Sequence, residues 1–177
     1  MHDRETLAVA ARDGDRTAME RFVEQIQPDV WRYCVHLTSR NEAEDLTQEA
    51  LFRVVKFLHR WQRGAAISWV LGVTRNVCLE DIRRRTRRRT DPTATPADQP
   101  MGDQTGASDL RQLLGSLPAE QREAIVLTQL IGLPYADAAL VVGCPIGTIR
   151  SRVARARTAL AVALDTTPQA ITDVRSG

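Results

Sequence analysis

The sequence predicts an all-α protein: two small helical domains joined by a flexible acidic linker. Three observations carry this expectation. Between Thr6 and Leu164 apolar residues recur at steps of three and four, the spacing of one helix face. Residues 91–108, DPTATPADQPMGDQTGAS, hold three prolines and two glycines without apolar periodicity, which is linker composition. Charge also changes sign there: seventeen basic and thirteen acidic residues give Met1–Thr90 a net +4, the linker carries −3, and six basic against four acidic residues give Asp109–Leu164 +2. The expected organisation is a first domain over 1–90, the linker over 91–108, a second domain over 109–164 and a short, poorly ordered tail over 165–177.

The first domain reads as follows. Thr6–Gln27 is a helix or helix pair with a break at Gly14-Asp15; Phe22, Val23 and Ile26 are among its inward residues. Pro28 opens a further helix, Asp29–Thr38, whose Val30, Trp31, Cys34 and Val35 belong to the core. Asn41, with Glu44 three residues on, has the pattern of a capping box and starts a helix reaching about Arg60. Glu42, Glu44, Asp45 and Glu49 lie in its first half. Acid suits a helix N-terminus, and a solvated acidic face explains the cluster as simply as a docking surface does. Trp61-Gln62-Arg63-Gly64 interrupts the pattern. A helix then runs from Ile67 to Arg85 or beyond and ends in six arginines within seven residues, Arg83–Arg89. Such a run repels itself and seeks polyanions, unless it is merely solvated. Trp61 and Trp69 offer faces on which unpaired bases can stack.

In the second domain, Asp109–Ser116 and Pro118–Ile131 are short helices, followed by Pro134–Val142. Gly143-Cys144-Pro145 can end that helix and begin the next, Pro145–Leu164. Ile146, Ile149, Val153, Ala156, Leu160 and Leu164 form its apolar stripe. Gly147, Thr148, Ser151 and Arg155 lie opposite, flanked by Arg150 and Arg157 on one side and Arg152 on the other. Alone, this is equally a surface helix with a solvated basic face. A short helix and a Gly-containing turn before it make a helix-turn-helix, and such a helix fits the major groove of DNA, where Arg, Ser and Thr bond phosphates and base edges.

Composition excludes other classes. The overall charge of +2 names no partner. Cys34, Cys78 and Cys144 form no CxxC pair, and no His stands at zinc-ligand spacing, so buried thiols are expected and no metal. There is no Gly-rich phosphate loop and no spaced carboxylate pair; the chain is expected to be no enzyme and to need no cofactor. No apolar run approaches the ~18 residues of a membrane span, so no membrane insertion is expected. The start, MHDRETLAVAARDGD, is unlike a signal peptide. A soluble, cytoplasmic protein is expected.

Three motifs together resemble a known family. Asp45-Leu46-Thr47-Gln48-Glu49 with Leu51-Phe52-Arg53, Ser68-Trp69-Val70-Leu71-Gly72-Val73-Thr74-Arg75-Asn76 with its arginine-rich end, and Gly143-Cys144-Pro145-Ile146-Gly147-Thr148-Ile149-Arg150-Ser151-Arg152 are similar, in that order, to bacterial sigma factors of the sigma-70 family. The two-domain plan is like the extracytoplasmic-function (ECF) group, and the stretch from Leu127 to Arg157 resembles its actinobacterial sigma-C-type members. The resemblance implies an alternative sigma factor that binds core RNA polymerase and recognises −10 and −35 promoter elements. It implies that Asp45, Leu46, Gln48 and Glu49 meet the clamp helices of the largest polymerase subunit. The flap of the second-largest subunit and an anti-sigma factor are further partners it suggests. Arg60, Arg63, Trp69, Arg75, Asn76, Arg83, Arg84, Arg85 and Arg88 would act on the −10 element, a flipped base lying near residues 60–66. Gly147, Thr148, Arg150, Ser151, Arg152 and Arg155 would act on the −35 element. The linker would thread the RNA-exit path. Pro134 stands where many relatives have a Ser cap, and Ala65-Ala66 replace a bulkier or more polar stretch near the −10 loop. The competing reading is a stand-alone helix-turn-helix regulator, which would need neither the Asp45–Glu49 patch nor a second basic region.

Overall fold

The computed structural model describes residues 2–62, 64–89 and 107–166, and among them every regular element is helical. The first unit contains α1 (His2–Arg12), α2 (Arg16–Leu37), α3 (Arg40–Phe57), a 3-10 turn (Leu58–Arg60) and α4 (Ala66–Arg89). The break between α1 and α2 falls where Gly14 takes φ 104° and the Asp15 carboxylate caps α2 by accepting from Ala18 N–H at 3.0 Å.

Two expectations are corrected here. Pro28 starts no new helix; it lies inside α2. A Pro within a helix removes a hydrogen bond and clashes with the preceding turn, at about 3 kcal/mol. Phe22 and Ile26 before it and Val30, Tyr33 and Cys34 after it are all buried, and their continuous stripe offsets that cost. The cap of α3 is Ser39 with Glu42, not Asn41 with Glu44: the Glu42 carboxylate accepts from Ser39 N–H at 3.1 Å. Thr38 is extended and ends α2, so only two residues, Thr38 and Ser39, separate the two helices, and the start of α3 falls earlier than its acidic cluster suggests.

The second unit contains α5 (Ala107–Gly115), α6 (Ala119–Ile125), a π-helical turn (Val126–Leu130), α7 (Tyr135–Val142) and α8 (Ile146–Thr166). The wider π turn buries Val126, Leu127 and Thr128 before Gly132, at φ 84°, redirects the chain. Pro134 is the N-cap of α7 rather than its first residue. Ile149, Val153 and Ala156 are buried as the helix period requires, whereas Ile146 and Leu164, at the ends of the expected stripe, are 39% and 59% exposed.

The units do not keep separate cores. α7 packs on α4 and α6 meets α2, so the buried side chains of both units form one contiguous cluster. The linker expected at 91–108 and the tail at 165–177 fall almost entirely outside the described residues.

Candidate nucleic-acid interface

The turn between α7 and α8 is set by backbone chemistry. Gly143 takes the left-handed conformation, φ 75° and ψ 42°, and its N–H and that of Cys144 both donate to the Ala139 carbonyl, at 2.9 and 3.1 Å. The Pro145 carbonyl then accepts from Thr148 N–H at 2.9 Å as α8 begins. This seats Ile149 and Val153 inward, and Gly147, Arg150, Ser151 and Arg155 outward, with Thr148 half-buried. Arg155 donates to Ser151 Oγ at 3.2 Å and to the Ser151 carbonyl at 3.3 Å, which lays its guanidinium along the exposed face. Arg152 behaves differently. Its side chain is 15% exposed and paired with Glu120 of α6 at 2.6 Å, so it braces α8 against α6 instead of standing free on the exposed face.

Along α4 the arginines divide in the same way. Arg84 donates to Asp81 at 2.5 Å; Arg85 reaches Asp81 at 2.6 Å and also pairs with Glu42 of α3. The Asp81 carboxylate is only 5% exposed, so these two arginines neutralise a buried acid; Arg85 also ties α4 to the start of α3, while the Arg84 side chain stays 63% exposed. Arg83 and Asn76 are exposed, and Trp69 is half-buried against the core. Arg60 is exposed and lies 4.6 Å from the centre of the Phe57 ring. Arg63 and the Arg88 side chain lie outside the described residues. Trp61 is no stacking face for bases: it is 5% exposed in the core, with the Arg12 guanidinium 5.9 Å from its ring centre.

The acidic face on α3 is wider than its motif. Asp45 and Gln48 are exposed and Glu49 half-buried, whereas Leu46, expected beside them, is 8% exposed and belongs to the core because it falls on the inward side of the helix. Arg53 bridges Glu49 at 2.6 Å to Glu80 of α4 at 2.8 Å. Hydrogen bonds to Glu80 first, and then to Glu49, hold its guanidinium above its ordinary pKa. Glu80 and Asp81 thus join Asp45 and Glu49 around a shallow pocket of about 370 Å³ between the two helices. The α3 motif alone could not reveal them, because the register of α4 against α3 is a tertiary property.

A further feature without a sequence signal joins the two units. Glu123 of α6 is 8% exposed at its side chain and accepts from Arg75 Nε and from the Tyr33 hydroxyl, each at 2.7 Å. Burial, and then the Glu123 charge, push the Tyr33 phenol well above its ordinary value. Burial disfavours the charged Arg75, but its hydrogen bond and charge attraction to Glu123 outweigh that and leave its pKa raised. Arg75, expected to face DNA, is therefore engaged by the second unit in this arrangement.

A helix-turn-helix on one unit and a second arginine-bearing helix on the other define the class: a DNA-binding transcription protein. Residues 22–88 match the family described as Sigma-70 region 2, and residues 107–160 the family described as Sigma-70, region 4. The probable RNA polymerase sigma-C factor of Mycobacterium bovis is 45% identical over 161 residues, 87% of each chain. The ECF RNA polymerase sigma factor SigE of Mycolicibacterium smegmatis is 35% identical over 164 residues, 85% of this chain and 64% of the other. Among solved structures, the sigma factor RpoE in complex with the anti-sigma factor NepR from Bartonella quintana superposes with a TM-score of 0.72 at 31% identity, covering 84% of this chain and 97% of the other. CnrH, in complex with the cytosolic domain of CnrY, gives the same TM-score at 22% identity, which is a likeness of fold. The chain belongs to the sigma-70 family, in its extracytoplasmic-function group, and is an alternative sigma factor that directs transcription initiation. No helix among the described residues is long and apolar enough to cross a membrane.

Proposed function

We propose that Asp45, Gln48 and Glu49, extended by Glu80, dock this chain on the clamp helices of the largest polymerase subunit, and that its two cationic helices then divide the promoter between them. The carrying observation is that one chain holds the exposed Arg150–Ser151–Arg155 face of α8 together with the acid-lined pocket between α3 and α4. A lone regulator needs the first and has no use for the second.

In this reading α8 enters the major groove of the −35 duplex, with Arg150 and Arg155 on phosphates or guanine edges and Ser151 beside them. Gly147, which has no Cβ and open space around it, lets the backbone approach a phosphate. Arg60, Asn76, Arg83 and the loop 60–66 act on the opened −10 strand. Unstacking a base there costs a few kcal/mol, offset by contacts to the extruded nucleotide. Arg75 joins them once Glu123 releases it. Residues 1–90 and 109–164 act as the two functional units, with 91–108 spanning the RNA-exit path, and the flap of the second-largest subunit receives the second unit. The chain carries out no reaction of its own and works in the cytoplasm beside the polymerase. The complex of RpoE with the anti-sigma factor NepR supports an anti-sigma factor as a further partner.

Run-off transcription with core polymerase on genomic fragments tests this reading. The wild type should initiate at discrete start sites; Asp45→Arg with Glu49→Arg should abolish co-elution with polymerase while helical content is kept. Unaltered polymerase binding by that variant removes the proposed role of the acidic face.

A further inference from the structure

Cys34 of α2 and Cys78 of α4 are both fully buried, and the Cys78 thiol donates to Cys34 Sγ across 3.7 Å. A single buried cysteine is usually only a small apolar side chain. Two of them in contact, on different helices and 44 residues apart in the chain, are something more. We propose that Cys34 and Cys78 form a redox-responsive dithiol that closes to a disulfide under a hydroperoxide and staples α4 to α2.

Closing the pair requires the sulfurs to approach by roughly 1.7 Å, since a disulfide bond is about 2.05 Å long. Side-chain rotation and a small shift between two packed helices can share that distance. The chemistry is asymmetric. The hydrogen bond from Cys78 outweighs burial and holds the Cys34 pKa below its ordinary value, while the same bond, with burial, pushes Cys78 up. With Cys34 as the nucleophile and Cys78 as the resolving thiol, the disulfide forms in two steps. The Cys34 thiolate attacks the hydroxyl-bearing oxygen of the hydroperoxide and the O–O bond breaks; the departing oxygen takes up the proton that Cys34 gave up on ionising and leaves as water or an alcohol, and Cys34 becomes a sulfenic acid. Cys78 sulfur then attacks Cys34 sulfur, the S–O bond breaks, and water leaves with the Cys78 proton. Two thiols are oxidised and one peroxide is reduced.

Position gives the staple a consequence. Cys34 follows Tyr33 in α2, and Cys78 lies one turn beyond Arg75 in α4, so the thiols lie next to the two residues that hold Glu123 of the second unit. Both sulfurs are shielded in this arrangement, and a peroxide reaches them through local opening. Once closed, the link fixes the α2–α4 contact beneath Arg75 and Asn76 and, by closing a long loop, restricts the unfolded chain.

The test treats the reduced full-length chain with hydrogen peroxide, quenches, denatures, and alkylates the remaining thiols before intact and peptide mass analysis. The expected product is a monomer lighter by two hydrogens, with a Cys34–Cys78 peptide pair, an alkylated Cys144, and full reversal by dithiothreitol. The Cys144→Ser variant should give the same product, Cys78→Ala should lose it, and the oxidised wild type should melt several degrees higher without reductant. Cys34 and Cys78 remaining alkylatable at a peroxide dose that oxidises Cys144 would overturn the proposal. So would crosslinks that run only through Cys144 between chains, or an oxidised form that melts no higher than the reduced one.

Discussion

Glu123 shows how much one carboxylate can hold. It is a buried acid whose partners, Tyr33 and Arg75, both come from the other unit, at 2.7 Å each. Breaking a buried ion pair by removing one partner leaves an uncompensated charge and costs about 3–5 kcal/mol. Because Arg75 remains 23% exposed, the lower end applies. Arg75→Ala should therefore lower unfolding stability in urea by about 3 kcal/mol, and adding Glu123→Gln should recover part of the loss. Equal losses in the single and double variants would show that the pair carries no coupling. Tyr33 supplies a pH test. Its folded pKa is raised above the ordinary 10.0, chiefly by burial and then by Glu123. The folded state therefore favours the protonated phenol. That contribution is fully present below pH 10 and is lost as pH rises above it towards the folded pKa. Thermal melts should fall more steeply above pH 10 for the wild type than for Tyr33→Phe. The residue identities were legible in the sequence, but their meeting was not: Tyr33 and Glu123 are 90 residues apart, and no periodicity connects them.

At the scale of elements, α8 shows what a sequence pattern can and cannot settle. Its apolar stripe was readable because 3.6 residues per turn fixes which side chains share a face, and Ile149, Val153 and Ala156 are buried as that rule requires. Arg152 defied the same reasoning. It lies near the boundary between faces, and there the position of Glu120 on α6 decides which way the guanidinium turns. The two groups should differ under mutation. Arg155→Ala should weaken binding to duplex −35 DNA and lower the salt slope by about 1 if its contact is to phosphate, with little effect on stability. Arg152→Ala should instead lower thermal stability while leaving the salt slope nearly unchanged. Filter binding across a salt series, with melts alongside, separates the two. Ile149→Ala, at the centre of the stripe, should cost about 2–5 kcal/mol. The same boundary effect explains Arg84 and Arg85, which were expected on DNA and lean back on Asp81 and Glu42.

Over the whole molecule, the packing of α7 on α4 brings the second unit against the helix expected to meet the −10 element. A promoter phosphate competes with Glu123 for Arg75, because the second unit covers the Nε and Nη2 edge of that guanidinium. Opening the units should therefore accompany promoter binding. In solution scattering the free wild type should have the smaller radius of gyration, and Glu123→Ala the larger one. The variant should also cleave faster in limited proteolysis between Asp91 and Ser108. Identical scattering profiles would mean that Glu123 does not hold the units together. By itself, the sequence determined the helical class, the helix-turn-helix, the arginine-rich end of α4 and the family, because helix period, turn residues and motif order are local and survive any packing. Tertiary structure alone decided that Pro28 sits within one helix, that Trp61 is core, that Glu80 joins the acidic residues of α3, and that the two units share a core through Glu123. Each of these depends on which surfaces meet across a long stretch of chain, where burial and charge pairing outweigh local preference.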